Sequence, residues 1–190
     1  FLCRQKIAKD SSTVFSSERF FDLKEALLFY LSRNQKNYIF FTMSKDVLQK
    51  IDQEHHQKRG RYGYLFCHGE RIPYLQKWIG QGKRVLDLGC RDGMLTQSFV
   101  EGNEVVGVDI DQKALDLAKQ SLGIETFWLD LNQEWPFPPA SFDVVVACEI
   151  MEHIFFLDQF LSQIRSVLKP GGLFIGSVPN VFRLRNRWKF

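Results

Sequence analysis

This sequence predicts an α/β fold, a Rossmann-like doubly wound parallel sheet with helices on both faces. Three observations predict it. Strand-like apolar runs alternate with amphipathic helical patterns along the second half of the chain. One run, Arg84-Val85-Leu86-Asp87-Leu88, passes directly into a glycine-bearing turn, Gly89-Cys90-Arg91-Asp92-Gly93. A second run, Glu104-Val105-Val106-Gly107-Val108, ends on Asp109, twenty residues past Gly89. In open α/β sheets this combination holds a nucleotide-like cofactor. Glycines admit the ligand to the backbone, a helix start offers free N–H groups, and the acid accepts hydrogen bonds from ribose hydroxyls.

The elements follow in order. Residues 18–32 read as a helix, with Phe20, Leu23, Leu27, Leu28 and Leu31 near one face. Residues 38–42 form a short apolar run of strand type. A polar helix over 45–58 leads to a Gly/Tyr-rich loop, Gly60-Arg61-Tyr62-Gly63-Tyr64, and a further helix spans 68–79. The first core strand, 84–88, is followed by the glycine turn and a helix starting straight after Gly93. Beyond the second strand, Asp111 caps a helix through Gln120, with Ala114, Leu115, Ala118 and Leu122 inward and Gly123 as its stop. Residues 127–131 read as a third strand and the turn after it. Trp135-Pro136-Phe137-Pro138-Pro139 is excluded from a central strand or helix interior, and reads as a stiff loop at the sheet's ligand edge. The fourth strand runs from Ser141 to Cys148. Asp158 caps the last helix, with Phe160, Leu161, Ile164 and Leu168 buried, ended by Lys169-Pro170-Gly171 before a fifth strand.

Composition sets limits. With 190 residues, 45% of them hydrophobic, the chain can bury one good core plus an appendage. No apolar run approaches the ~18 residues a membrane helix needs. The first residues, Phe1-Leu2-Cys3-Arg4-Gln5-Lys6, lack a signal peptide's apolar stretch and cleavage site. Cys3, Cys67, Cys90 and Cys148 are scattered without a C-x-x-C pair, which suits reduced thiols in a cytoplasm. Residues 159–190 contain no acid, and Arg183, Arg185, Arg187 and Lys189 lie in the last eight positions. Such a tail suits nucleic acid, an anionic surface or a phosphorylated substrate. The favoured reading is a solvated helix face, with Val181, Leu184 and Trp188 at helical spacing.

The glycine pattern narrows the cofactor. A dinucleotide turn needs G-x-G-x-x-G and a P-loop needs a lysine, and this turn has neither. Asp87-x-Gly89-x-x-x-Gly93 instead resembles the first motif of class I S-adenosylmethionine-dependent methyltransferases. The resemblance continues in register through five segments. Phe127-Trp128-Leu129-Asp130-Leu131 is similar to the family's third strand and turn, and Ser141-Phe142-Asp143-Val144-Val145-Val146-Ala147-Cys148 to its fourth strand. Glu149-Ile150-Met151-Glu152-His153-Ile154 is similar to the segment after that strand. Leu168-Lys169-Pro170-Gly171-Gly172 and Ser177-Val178-Pro179-Asn180 are similar to the turn before the fifth strand and its exit. The match covers residues 84–180. The family usually has glycine where this chain has Arg91.

The resemblance implies S-adenosyl-L-methionine as cofactor, held by Asp87, Gly89, Cys90, Gly93, Asp109, Ile110, Asp130, Leu131 and Glu149. Within that set Asp109 would take the ribose, Asp130 the adenine end, and Asp87 the glycine loop and the methionine amine. The reaction is an in-line methyl transfer to an oxygen or nitrogen of a small molecule or a lipid- or sugar-linked intermediate. His153 is the candidate catalytic base, since imidazole is the side chain suited to proton transfer near neutral pH. The acceptor, the oligomeric state and any nucleic-acid partner are not legible. Cys148 reads as a small hydrophobe in its strand and not as a nucleophile.

Two other readings stand beside this one. If a helix starts after the fourth strand, Glu149, Glu152 and His153 share one face. That is the partial metal-ligand set of methyltransferases acting on RNA 3′ ends or on quinone-type hydroxyls, where a divalent ion lowers the hydroxyl's pKa. Alternatively the fold is a non-catalytic binding module, with Arg91 blocking the cofactor and the basic tail engaging a partner. The sequence divides into an N-terminal extension, 1–42, and a methyltransferase domain, 43–190. It reads as truncated before the final antiparallel hairpin, which would leave the fifth strand's apolar edge open. Arg61, Tyr62 and Tyr64 read as a packing loop, with a lid over the cofactor as the alternative.

Overall fold

Runs buried on both faces of a sheet are apolar throughout, and here they pair in parallel. The computed structural model describes residues 2–6, 63 and 68–178. Its strands are β1 (Leu2–Lys6), β2 (Arg84–Leu88), β3 (Glu104–Asp109), β4 (Glu125–Trp128), β5 (Phe142–Cys148) and β6 (Leu168–Ser177). They form one sheet in the order β1-β6-β5-β2-β3-β4. Five strands are parallel, and β1 runs antiparallel to β6. Helices α1 (His68–Ile79), α2 (Gln112–Leu122) and α3 (Leu157–Val167) complete the described core.

Alternate side chains along each strand feed two separate cores. On one face Leu86, Leu88, Val106, Val108 and Val145 pack against Phe160, Ile164 and Val167 of α3. On the other, Val85, Val105, Val144, Val146 and Ile175 meet Leu75 and Ile79 of α1 and Ala118 of α2. Each fully buried aliphatic side chain contributes roughly 1.5–3 kcal/mol. The amino ends of three strands are clipped by one carboxylate. Asp143 accepts the Arg84 N–H at 2.9 Å and both its oxygens accept from Lys169 Nζ at 2.9 Å. Burial opposes ionisation of Asp143, but these donors outweigh it and hold the carboxyl below its ordinary range.

The Asp111 cap is as the sequence implies. Its Oδ1 accepts from the N–H groups of Lys113 and Ala114, and Gly123 closes α2 in the left-handed conformation. Several expectations are corrected. No full helix follows Gly93; only the 3-10 turn Thr96–Ser98 forms, because the buried Thr96 hydroxyl turns back to donate to Asp87. The strand within the strand-and-turn segment 127–131 begins earlier, as Glu125–Trp128, and the turn starts where pairing to β3 stops, at Asp109 opposite Trp128. Asp158 does not cap α3. Phe156 holds that position, and Asp158 sits in the first turn, where its charge complements the helix dipole. Leu161 is exposed, and Val167 takes the inward place.

Within the proline-rich loop Trp135 is buried, while Pro136, Pro138 and Pro139 are exposed. Trp135 lies edge-on to Phe160 at 5.5 Å, and its N–H donates to Gln163 Oε1 at 2.8 Å. The loop therefore covers the α3 face before entering β5. The β6 edge expected to lie open is paired, because Leu2 to Lys6 lie opposite Ser177 to Leu173. Those five residues come from the segment read as an extension. The readings of residues 18–32, 38–42, 45–58 and the basic tail lie outside the described residues, as does the 60–64 loop apart from Gly63.

Candidate active site

In a sheet of this order, chain connections leave β2 toward β3 on one side and reach β5 on the other. The carboxyl ends flanking that switch form a crevice where ligands of open α/β sheets bind. The site is built from the residues at those ends.

Asp87 is 3% exposed and accepts the Thr96 hydroxyl at 2.7 Å. Burial pushes its carboxyl up to about 7, against the pull of the Thr96 bond and with a further push from Asp109. The turn after β2 is held by Val108, whose carbonyl accepts from Gly89 N at 2.9 Å and Cys90 N at 3.1 Å. The turn therefore presents shape, since those two donors are spent on β3. Gly89 has φ +76°, and a Cβ there would stand 2.9 Å from Ile150 Cδ1. Gly107 has a different reason: Cys90 Sγ would lie 2.7 Å from its Cβ. The Cys90 side chain thus packs against β3, leaving only its backbone toward the crevice.

Asp109, buried at the end of β3, holds the turn from the other side. Its Oδ2 accepts Arg91 N–H at 2.9 Å and its Oδ1 accepts Asp111 N–H at 3.0 Å. Arg91 has φ +52°, which explains the family's glycine: the backbone here is left-handed whichever residue occupies it. Asp92 accepts Gly63 N–H at 2.6 Å, tying the upstream loop to this turn. Beyond β3, Trp128 Nε1 donates to the Ile110 carbonyl at 2.6 Å. Asp130 Oδ1 accepts from the backbone N–H of Asn132 at 3.0 Å and from its side-chain amide at 3.1 Å. Leu131 is buried in the α3-face core, so its backbone borders the crevice and its side chain does not.

After β5 the chain departs from expectation. Glu149 is left-handed, at φ +56°, and residues 151–153 form a 3-10 turn, with His153 N–H donating to the Ile150 carbonyl at 2.9 Å. Glu149, Glu152 and His153 therefore do not line one α-helical face. The Glu149 carboxylate stands 3.1 Å from Arg71 Nη2 and accepts the Ser177 hydroxyl at 2.8 Å, while Glu152 and His153 are exposed. Among the described residues no three His, Cys, Asp or Glu side chains are grouped to hold a metal ion. The arrangement does not fit the metal-ligand reading. Arg71, Thr96, Asn132 and Ser177 enter the site without a sequence signal, because their partners are brought to them by the fold.

Burial pushes the Cys148 thiol up to about 12, with the Asp87 charge adding to it. Burial also raises Cys90 well above the ordinary range, so neither thiol is a nucleophile. The described helices include none long and apolar enough to cross a membrane. Asp87 and Asp109 lie buried at the carboxyl ends of β2 and β3, and Glu149 follows β5 paired with Arg71, so carboxylates border the crevice. S-adenosylmethionine carries a sulfonium and an ammonium, charges that suit a crevice bordered by carboxylates.

Comparison with known proteins agrees with this geometry. Residues 86–176 match the methyltransferase domain family. A ubiquinone biosynthesis O-methyltransferase from Bradyrhizobium sp. is 36% identical over 114 residues, 57% of this chain and 42% of that one. The chain thus spans less than half that relative's length. An S-adenosylmethionine-dependent methyltransferase from Mesorhizobium loti superposes with TM-score 0.52 at 26% identity, covering 57% of this chain and 53% of its own. A protein from Pyrococcus horikoshii gives TM-score 0.56 at 30% identity, covering 63% and 59%.

Two outcomes follow from the site. Replacing Arg91 by glycine removes a left-handed side-chain penalty of about 1–2 kcal/mol, partly offset by glycine's extra unfolded freedom of about 0.5–1 kcal/mol. Thermal denaturation of Arg91→Gly should show a protein as stable as the parent or up to about 1 kcal/mol more so; a clear loss would refute the strain. Asp87 has a folded pKa raised from 3.8 to about 7. Its contribution to cofactor-free stability is full below pH 4 and is lost as pH rises through 7. Denaturant titrations should show that fall in the parent chain and a flatter profile in Asp87→Asn.

Proposed function

We propose that this chain, which belongs to the class I S-adenosylmethionine-dependent methyltransferases, transfers a methyl group to a hydroxyl oxygen of a small molecule of the quinone type. The observation that carries this reading is the convergence of Asp87, the 89–93 turn and Asp109 on one crevice. The O-methyltransferase relatives named for ubiquinone biosynthesis support oxygen as the acceptor atom.

Bound in the crevice, the cofactor supplies a methyl group already activated on sulfur, so no covalent enzyme intermediate is needed. The chain's work is to hold, align and exclude water. Asp109 accepts from the ribose hydroxyls while keeping its bonds to the turn. Asp130, with Ile110 and the Leu131 backbone, borders the adenine end. Asp87 accepts from the methionine ammonium, whose charge favours the ionised carboxylate. Arg71, oriented by Glu149 and Ser177, is assigned to the methionine carboxylate. Gly89 and Gly93 keep the turn thin, and Cys90 contributes backbone only. His153, exposed on the 3-10 turn after β5, would take the acceptor's hydroxyl proton.

Methyl-labelled S-adenosylmethionine and a panel of hydroxylated quinone-type molecules test this. Label should appear on an acceptor oxygen, and His153→Ala should lower kcat about 100-fold or more while cofactor affinity stays within threefold. Label on nitrogen acceptors alone, or an unchanged kcat in His153→Ala, would contradict the proposal.

A further inference from the structure

The loops leaving β4 and β5 emerge on opposite sides of β2, yet a single side chain joins them. The backbone N–H and side-chain amide of Asn132 both donate to Asp130 Oδ1, at 3.0 and 3.1 Å. The Asn132 Oδ1 accepts the Phe155 N–H at 2.8 Å, across 23 residues of sequence. Phe155 is 83% exposed, so packing of its ring does little to fix it. Its neighbours Ile154 and Leu157 pack against the α3-face core, and the Phe155 backbone itself is held by the hydrogen bond to Asn132. His153 lies two residues upstream, in the 3-10 turn Met151–His153.

A carboxamide carries its acceptor and its donors on opposite atoms of one planar group, so fixing one end orients the other. At Asn132 the donor end belongs to the β4 loop and the acceptor end to the β5 loop. The geometry points to Asn132 as a positioning residue that couples the cofactor's adenine side, at Asp130, to the acceptor-side turn carrying His153 and Phe155. This rests on the roles given above to Asp130 and His153. A ligand that orders the Asp130 carboxylate also orders Asn132, and through it the Phe155 amide. The turn carrying the base is then held more firmly when the cofactor is in place.

The test is amide exchange of the 15N-labelled chain, followed by NMR with and without S-adenosylhomocysteine. In the parent chain the ligand should slow exchange at Phe155 at least tenfold. In Asn132→Ala that slowing should vanish, while calorimetric affinity stays within about fivefold and amide shifts of β2 and β3 are unchanged. Asn132→Asp keeps an acceptor for Phe155 but loses the side-chain donor to Asp130. It should retain protection at Phe155 and lose the response to ligand. Equal slowing in the parent and Asn132→Ala, or binding with no slowing in the parent, overturns the coupling alone. Failure of S-adenosylhomocysteine to bind the parent chain overturns the functional reading itself, and the coupling with it.

Discussion

The Asp109 carboxylate is the constraint on which the site depends. It lies buried at the end of β3, with one oxygen on Arg91 N–H and the other on Asp111 N–H. The first bond holds the turn after β2 in a left-handed conformation that a bare backbone would rarely keep with arginine there. The second fixes the residue that caps α2. A single buried charge therefore sets the turn that shapes the crevice, the start of the adjoining helix and the wall between them. Burying it without these donors would cost several kcal/mol.

The second carboxylate, Asp87, is in a different condition. The Thr96 hydroxyl donates to it, and burial pushes its carboxyl up to about 7. Two acids in one crevice are thus differently prepared. Asp109 is engaged by two backbone N–H donors, and Asp87 waits for a cation. A ligand bearing an ammonium beside a ribose meets both needs. Strain is concentrated at the same place: Arg91 and Glu149, two of the three non-glycine residues with positive φ among the described residues, lie on the turns that flank the crevice. Asp109 holds the first, and Arg71 and Ser177 both engage the Glu149 carboxylate.

Sequence made the strands and the Asp111 cap legible because both are local. Continuous apolar runs need only their own residues, and the cap needs only the next three. Asp109 and the turn were legible for the same reason, being strand ends at fixed spacing. What escaped was long-range. Glu149 invited a helical metal-ligand reading because nothing nearby in sequence names Arg71 as its partner. Thr96 pulled a would-be helix into a 3-10 turn through a side-chain bond to Asp87. The partner of the β6 edge came from the first residues of the chain, where no pattern marks a strand for that position. Asn132 reads as an ordinary loop residue until β4 and β5 are placed in one sheet.

The most direct measurement is a calorimetric titration of the chain with S-adenosylmethionine, beside Asp109→Ala. The account requires binding by the parent chain and a loss of at least tenfold in the variant, about 1.4 kcal/mol, since the substitution removes the ribose acceptor and frees the turn together. Equal affinity in the two proteins would show that Asp109 neither holds the turn nor meets the cofactor, and the account would fail at its base.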